Sequence, residues 1–314
     1  MKYEPTFESV EQHKIPDWYD DAKFGIFFHW GLYSVPAYAK KGSNLNEMTE
    51  QDSSFESSMI ESPYSEWYLN KLRINGSSTQ KHHNKVYGKD FDYFKFQEEF
   101  EKVSQNLNMK DWADVCKSAG AKYVVLVTKH HDGYCLWPSD VKNPGMPDYK
   151  SKRNFVEELT EAVRSNDMKM GYYYSGIFDW TFIKTPISDI KTFIGQHLAS
   201  DEYCKYSVEQ INELVHKYHP SILWNDIGFP AQQNLNEIFA DYYNTVSEGV
   251  INDRWRQYSP EPGKDLDSQL EQWAEEAGVR MKALGLEGMM MTSAHHDYST
   301  PEYTTKFEYR EKKW

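Results

Sequence analysis

Residues 123–133 read YVVLVTKHHDG, and this stretch decides the fold. A run of apolar and β-branched residues without polar alternation suits a strand buried on both faces. It ends in Lys129, His130, His131 and Asp132, and Gly133 breaks it. The same construction recurs in both directions along the chain. Residues 24–29 (FGIFFH) run into Trp30-Gly31, 170–174 (MGYYY) into Ser175, and 222–224 (ILW) into Asn225-Asp226. Residues 250–252 (VIN) run into Asp253-Arg254-Trp255, and 288–292 (GMMMT) precede His295-His296-Asp297. Segments 111–119, 155–165, 208–218 and 235–246 carry apolar residues at helical spacing, with Asn154 and Ser207 as expected N-caps and Tyr218-His219-Pro220 as a helix stop. Alternating strands and helices predict an α/β fold with a parallel sheet. Chemically capable residues at successive strand C-termini predict a (β/α)8-like, TIM-type barrel, whose active face collects those ends.

The 314 residues carry 39% hydrophobic, 26% charged and 16% aromatic residues, an ordinary globular composition that one barrel accommodates. A net charge of −13 argues against a nucleic-acid or anionic-membrane partner. The longest apolar runs fall short of a membrane span, and mean hydropathy is −0.79. Residues 1–10 lack the basic and apolar regions of a secretion signal, so the expectation is a cytoplasmic chain or the mature form of an exported one. Cys116, Cys135 and Cys204 have neither disulfide arithmetic nor metal spacing and read as ordinary thiols. The stretches 40–65 and 75–89 read as long polar loops, and 268–283 as a charged helix.

Trp224 and Asp226 are two apart, so on a strand they face the same way, and a carboxylate beside an aromatic plane suits a nucleophile beneath a sugar ring. It equally suits an Asp that caps the next helix. His130 and His131 would face opposite sides of a straight strand, and a twist at its end could bring both to the cleft. Arg254 can bind hydroxyls or hold a carboxylate. Glu66 and Glu302 each sit where a helix could begin, and neither stands out locally.

Longer motifs resemble a known family. Residues 22–34 (AKFGIFFHWGLYS), 66–68 (EWY), 123–138 (YVVLVTKHHDGYCLWP), 223–228 (LWNDIG), 252–255 (NDRW) and 300–303 (TPEY) are similar, in this order, to motifs of the family 29 glycoside hydrolases, the retaining α-L-fucosidases. The resemblance implies an exo-acting hydrolase that releases L-fucose from fucosylated oligosaccharides or glycoconjugates with retention and without a cofactor or metal. It implies Asp226 as nucleophile and Glu302 as general acid/base. His29, Glu66, Trp67, His130, His131, Tyr173, Trp224 and Arg254 correspond to the sugar-binding residues, with Tyr174 an alternative to Tyr173.

Two departures shape the expectations. The connection from Arg254 to Glu302 is long for the family, which leaves Glu287 as a second candidate acid. The family usually continues past Lys313-Trp314 to complete the barrel and often adds a β-sandwich. The expectation is therefore a single catalytic barrel domain over 1–314, short at its C-terminal end and without the sandwich. A homo-oligomer is compatible with it. Two rival readings stand beside this one. The first is a metal-dependent barrel hydrolase using His29, His130, His131 and Asp226 as ligands, and the second is a fucose-binding barrel without turnover.

Overall fold

The computed structural model describes residues 3–42, 55–284 and 294–302. Its centre is a parallel sheet of β1 (Gly25–Phe28), β2 (Tyr123–Lys129), β3 (Lys169–Ser175), β4 (Ile222–Asp226) and β5 (Val250–Ile251). Each strand pairs with the next in sequence, the order in which a (β/α)8 barrel is wound. A parallel bridge from Asn252 to Tyr298 carries the sheet one position past β5. The strand expected over 288–292 lies outside the described residues.

Strand alternation divides the core. Val125, Val127, Tyr173, Ile222, Val250 and Tyr298 pack together on the inner face. Their neighbours Val124, Leu126, Tyr172, Tyr174, Leu223 and Ile251 join the larger cluster shared with the helices. The inner face is tight at β3: a Cβ on Gly171 would stand 2.7 Å from Ile222 Cβ and 3.1 Å from Val125 Cγ2, so only glycine fits.

Among the covering helices are Met109–Ser118, Phe155–Ser165, Asp201–Tyr218 and Leu235–Thr245. Asn154 caps the second of these, accepting a 3.1 Å bond from the Glu157 amide. The expected cap at Ser207 is corrected. That helix begins seven residues earlier in sequence, with Ser200 accepting from the Tyr203 amide, while Ser207 is buried within it. Burial of Tyr203, Cys204 and Tyr206 holds this extra length in place, overriding a local pattern that ran out near 208. His219 ends the helix at φ 51°, ahead of Pro220.

The stretch 75–89, expected as a loop, forms the helix Ser78–Val86, whose Ser77 cap accepts from Gln80. Its anchor is polar: buried His83 bonds the Tyr68 hydroxyl at 2.9 Å and the Phe91 carbonyl at 2.8 Å. The polar stretch 40–65 also contains a helix, Phe55–Glu61. The charged segment after 265 is the helix Leu266–Leu284, packed against the short helix Ile190–Gly195. No helix among the described residues is long and apolar enough to cross a membrane, and all three cysteines are free and buried.

Candidate active site

Strand register brings Trp224 and Asp226 to the inner face at the C-terminal end of β4, opposite Tyr173 and Ser175 of β3. Asp226 Oδ2 accepts a 2.9 Å bond from the Tyr173 hydroxyl, and Oδ1 accepts a 3.2 Å bond from Arg254 Nη1. Tyr174 faces the other way, and its hydroxyl donates to Gln210. Directly after Asp226 the backbone turns through Ile227 at φ 67°, a region that costs a β-branched residue about 1–2 kcal/mol. The strain sits where the strand must stop and leave the carboxylate at the rim.

Arg254, just past β5, is the hub. Its guanidinium lies 4.9 Å above the Trp224 ring, and Nη2 stands 2.6 Å from Glu302 Oε1. Nε donates to Thr300 Oγ1 at 2.7 Å and Nη2 to the Thr300 carbonyl at 2.9 Å. Asp253 Oδ1 accepts from the amide and hydroxyl of Thr300, which fixes that residue in turn. Burial alone would lower the Arg254 pKa, but the charges of Glu302, Asp226 and Asp253 outweigh it and hold the guanidinium firmly protonated. One buried cation thus joins the two carboxylates named from the sequence, with Asp226 13% and Glu302 36% exposed at the side chain.

The two histidines reach the same space because β2 is irregular at its end. The register shifts between Val127 and Lys129, and the Thr128 hydroxyl donates to the Tyr173 carbonyl. Lys129 consequently turns outward to Asp179, and His130 turns inward, its ring parallel to that of Tyr173 at 5.4 Å. His131 follows, with Nε2 at 3.8 Å from Asp226 Oδ2. The Ser175 hydroxyl donates to the Phe178 carbonyl, so it accepts from His131 Nδ1–H, and the network assigns His131 Nε2 as a bare acceptor. Burial lowers the His131 pKa to about 4 and that of His130 well below the ordinary value, so both are neutral near pH 7. Asp132 turns away, accepting from the Tyr93 hydroxyl at 2.7 Å, and burial lifts its pKa to about 6.

Aromatic planes close the floor and wall. Trp224 stacks on Tyr173 at 5.1 Å, and Phe27 meets both. Trp67 packs edge-on to His131 at 5.3 Å, and exposed His29 stands 5.8 Å from His130. Glu66 is half-buried in the short turn Ser65–Trp67, close enough for its charge to raise the Tyr33 and Tyr173 hydroxyl pKa values beyond the effect of their burial. Tyr33 Oη, His130 Nδ1 and His131 Nε2 are buried with no hydrogen-bond partner among the described residues, a costly set unless something polar meets them.

Of the residues named from the sequence, His29, Trp67, His130, His131, Tyr173, Trp224, Asp226, Arg254 and Glu302 are linked by these contacts, and Glu66 by its charge. Sequence reasoning missed Tyr33 and Thr300, both inside motifs whose other members were chosen, and named Ser175 and Asp253 only as polar residues at strand ends. The metal reading is corrected. Among the described residues, the side chains spaced to share an ion are His13, His295 and Asp297, not His29, His130, His131 and Asp226. The expectation that His295 and Asp297 join the active face is also corrected. Asp297 faces the helix Leu235–Thr245, with Tyr243 donating to it at 2.8 Å. His296 bonds its neighbour Ala294, and Glu287 lies outside the described residues.

Sequential parallel strands that deliver two arginine-bridged carboxylates, neutral histidines and stacked aromatics to one rim define an α/β barrel-type domain with a paired-carboxylate site. More narrowly, the chain belongs to the alpha-L-fucosidase family, whose model matches residues 1–280. It is 32% identical over 266 residues to the alpha-L-fucosidase of Dictyostelium discoideum, covering 81% of this chain and 52% of that one. It is 33% identical over 264 residues to the tissue alpha-L-fucosidase of Bos taurus, covering 82% and 50%. Among solved structures, Thermotoga maritima alpha-fucosidase in complex with fucose superposes with a TM-score of 0.72 at 40% identity, covering 83% of this chain and 57% of that chain. An alpha-L-fucosynthase of the same organism gives 0.74 at 41% identity, covering 81% and 57%. The chain spans about half the length of the curated relatives it matches.

Proposed function

We propose that this chain carries the active site of a retaining exo-α-L-fucosidase. The observation that carries the reading is the Arg254 bridge, with Asp226 on Nη1 and Glu302 on Nη2. Retaining hydrolysis needs two carboxyl groups ~5–5.5 Å apart, one to attack and one to carry the proton, and a shared guanidinium keeps such a pair beside one sugar ring. Asp226 attacks the anomeric carbon while Glu302 gives its proton to the departing glycosidic oxygen. The bond to the aglycone breaks as the Asp226 ester forms. Water, deprotonated by Glu302, then cleaves the ester and restores both groups. Tyr173 and Arg254 hold Asp226 aimed through their contacts to its two oxygens. The orphaned polar atoms of Tyr33, His130 and His131 meet sugar hydroxyls, and the Trp224 and Phe27 rings cover apolar ring faces. The substrates on this reading are terminal α-L-fucosides of oligosaccharides or glycoconjugates.

The test is hydrolysis of an aryl α-L-fucoside by the chain, beside Asp226→Ala and Glu302→Ala. Asp226→Ala is expected to lose activity and to recover turnover with azide, giving the inverted fucosyl azide. Full activity in Asp226→Ala overturns the assignment. Fucose binding without turnover in the unaltered chain favours the binding-module alternative.

A further inference from the structure

Residues 294–302, which carry Glu302, are tied to the barrel rung by rung. The Asp297 amide donates to the Ile251 carbonyl at 2.9 Å, and the Ile251 amide donates to Asp297 Oδ2 at 2.8 Å. Tyr298 bridges Asn252, Thr300 is clasped by Asp253 and Arg254, and Glu302 meets Arg254. Asp297 is the first rung, and its side chain is almost wholly buried.

Two groups from distant parts of the chain, His13 and Tyr243, converge there with neighbouring His295. His13 Nδ1 donates to Asp297 Oδ1 at 2.8 Å, with its ring stacked flat on Tyr243 at 3.7 Å. The Tyr243 hydroxyl donates to Asp297 Oδ2 at 2.8 Å and lies 2.7 Å from His295 Nε2. Proton counting closes this network. With Tyr243 donating to the carboxylate, its oxygen accepts from His295 Nε2–H, and His13 uses its Nδ1–H. Although His13, His295 and Asp297 are spaced to share a metal, each of these atoms already has a matched hydrogen bond, so the hydrogen-bonded arrangement is complete on its own.

We propose that Asp297, held by His13 and Tyr243, is a positioning residue that sets where the Glu302 carboxyl stands against Arg254. The inference rests on the reading of Glu302 as acid/base. The N-terminal arm, the helix Leu235–Thr245 and β5 then define the acid's position from the far side of the sheet. Loosening the first rung lets the segment slide, and a shift of about 1 Å at a proton donor costs on the order of a hundredfold in rate.

The discriminating measurement is kcat/KM, which reports bond cleavage to the aglycone, on two α-L-fucosides. Phenyl needs its oxygen protonated to leave, and 2,4-dinitrophenyl does not. Asp297→Asn is expected to lose roughly ten- to a hundredfold more on the phenyl fucoside than on the dinitrophenyl one. Tyr243→Phe, which removes one hydroxyl and keeps the packing, should lose in the same direction by less, and it serves if Asp297→Asn does not fold. Glu302→Gln run alongside separates the failures. Selective loss in Glu302→Gln with equal loss on both substrates in Asp297→Asn and Tyr243→Phe overturns the positioning role alone. No selectivity in Glu302→Gln overturns the acid assignment and the positioning role with it. A chelator should leave the substrate ratio unchanged. If it reproduces the Asp297→Asn pattern, a metal rather than the hydrogen-bond network holds the segment, and the proposal fails.

Discussion

The Tyr173 hydroxyl, on β3, donates a 2.9 Å hydrogen bond to Asp226 on the adjacent strand β4. Buried Tyr173 sits between His130 and Trp224, so its ring is fixed by packing and the hydroxyl alone is free to act on the carboxylate. Tyr173→Phe should therefore fold normally and lose one bond to a charged group, worth ~1.5–3 kcal/mol. The expected outcome is a ten- to hundredfold fall in kcat/KM on an aryl fucoside, with little change in Tm.

Arg254 supplies a forked contact that lysine cannot reproduce. Arg254→Lys keeps the charge that Asp226, Asp253 and Glu302 require but reaches one carboxylate at a time. It should lower kcat/KM by at least ~100-fold, as expected when a reacting group loses its placement. Arg254→Met should in addition destabilise by ~3–5 kcal/mol, because it leaves carboxylates partly buried without a cation. Denaturant unfolding of both variants separates the two effects.

Lys129 and Asp179 form an ion pair at 2.9 Å with both side chains fully buried, and the ammonium lies 4.5 Å from the Tyr174 ring centroid. The pair anchors the connection after β3, whose Trp180 amide donates to the His131 carbonyl. Lys129→Met should cost ~3–5 kcal/mol by stranding Asp179, and adding Asp179→Asn should return part of that loss. Additive losses in the double variant would show that the two side chains are not coupled.

The sequence made the barrel legible because its strands are buried on both faces and so appear as unbroken apolar runs, and because the motif residues cluster at their ends. The aiming of His130 and His131 was not legible. It depends on the β2 register shift, which local sequence does not encode, and alternation alone predicted opposite faces. The helix Ser78–Val86 was also hidden, since it is held by the His83 hydrogen bonds rather than by an apolar stripe. Asp297 was misplaced for a related reason: its chemistry suggested the active face, whereas its carboxylate faces Tyr243 on the helix side.

His131 makes a pH prediction whose sign follows from its burial. Its pKa is lowered to about 4, so between about 6.5 and 4 the unfolded chain binds a proton that the folded site refuses. Stability therefore falls as pH drops through that window. His131→Gln should show a shallower loss over the same range. On the proposed reading, in which Nε2 accepts from a sugar hydroxyl, inhibition by fucose should hold down to about pH 5 and weaken only as pH approaches 4.

Asp297 acts in a lower window. Burial alone would raise its carboxyl, but the His13 bond, the neighbouring His295 ring and the Ile251 amide prevail and hold it at about 2. The folded pKa is below the unfolded ~3.9, so its contribution is fully present above about pH 4 and is lost as pH falls toward 2. A shift of this size corresponds to the order of 2–3 kcal/mol. Urea unfolding of the native chain and of Asp297→Asn should differ by about that much at pH 6, and the difference should close as pH approaches 2. A gap that stays constant down to pH 2 would mean that the side chain contributes through packing, with no role for its charge.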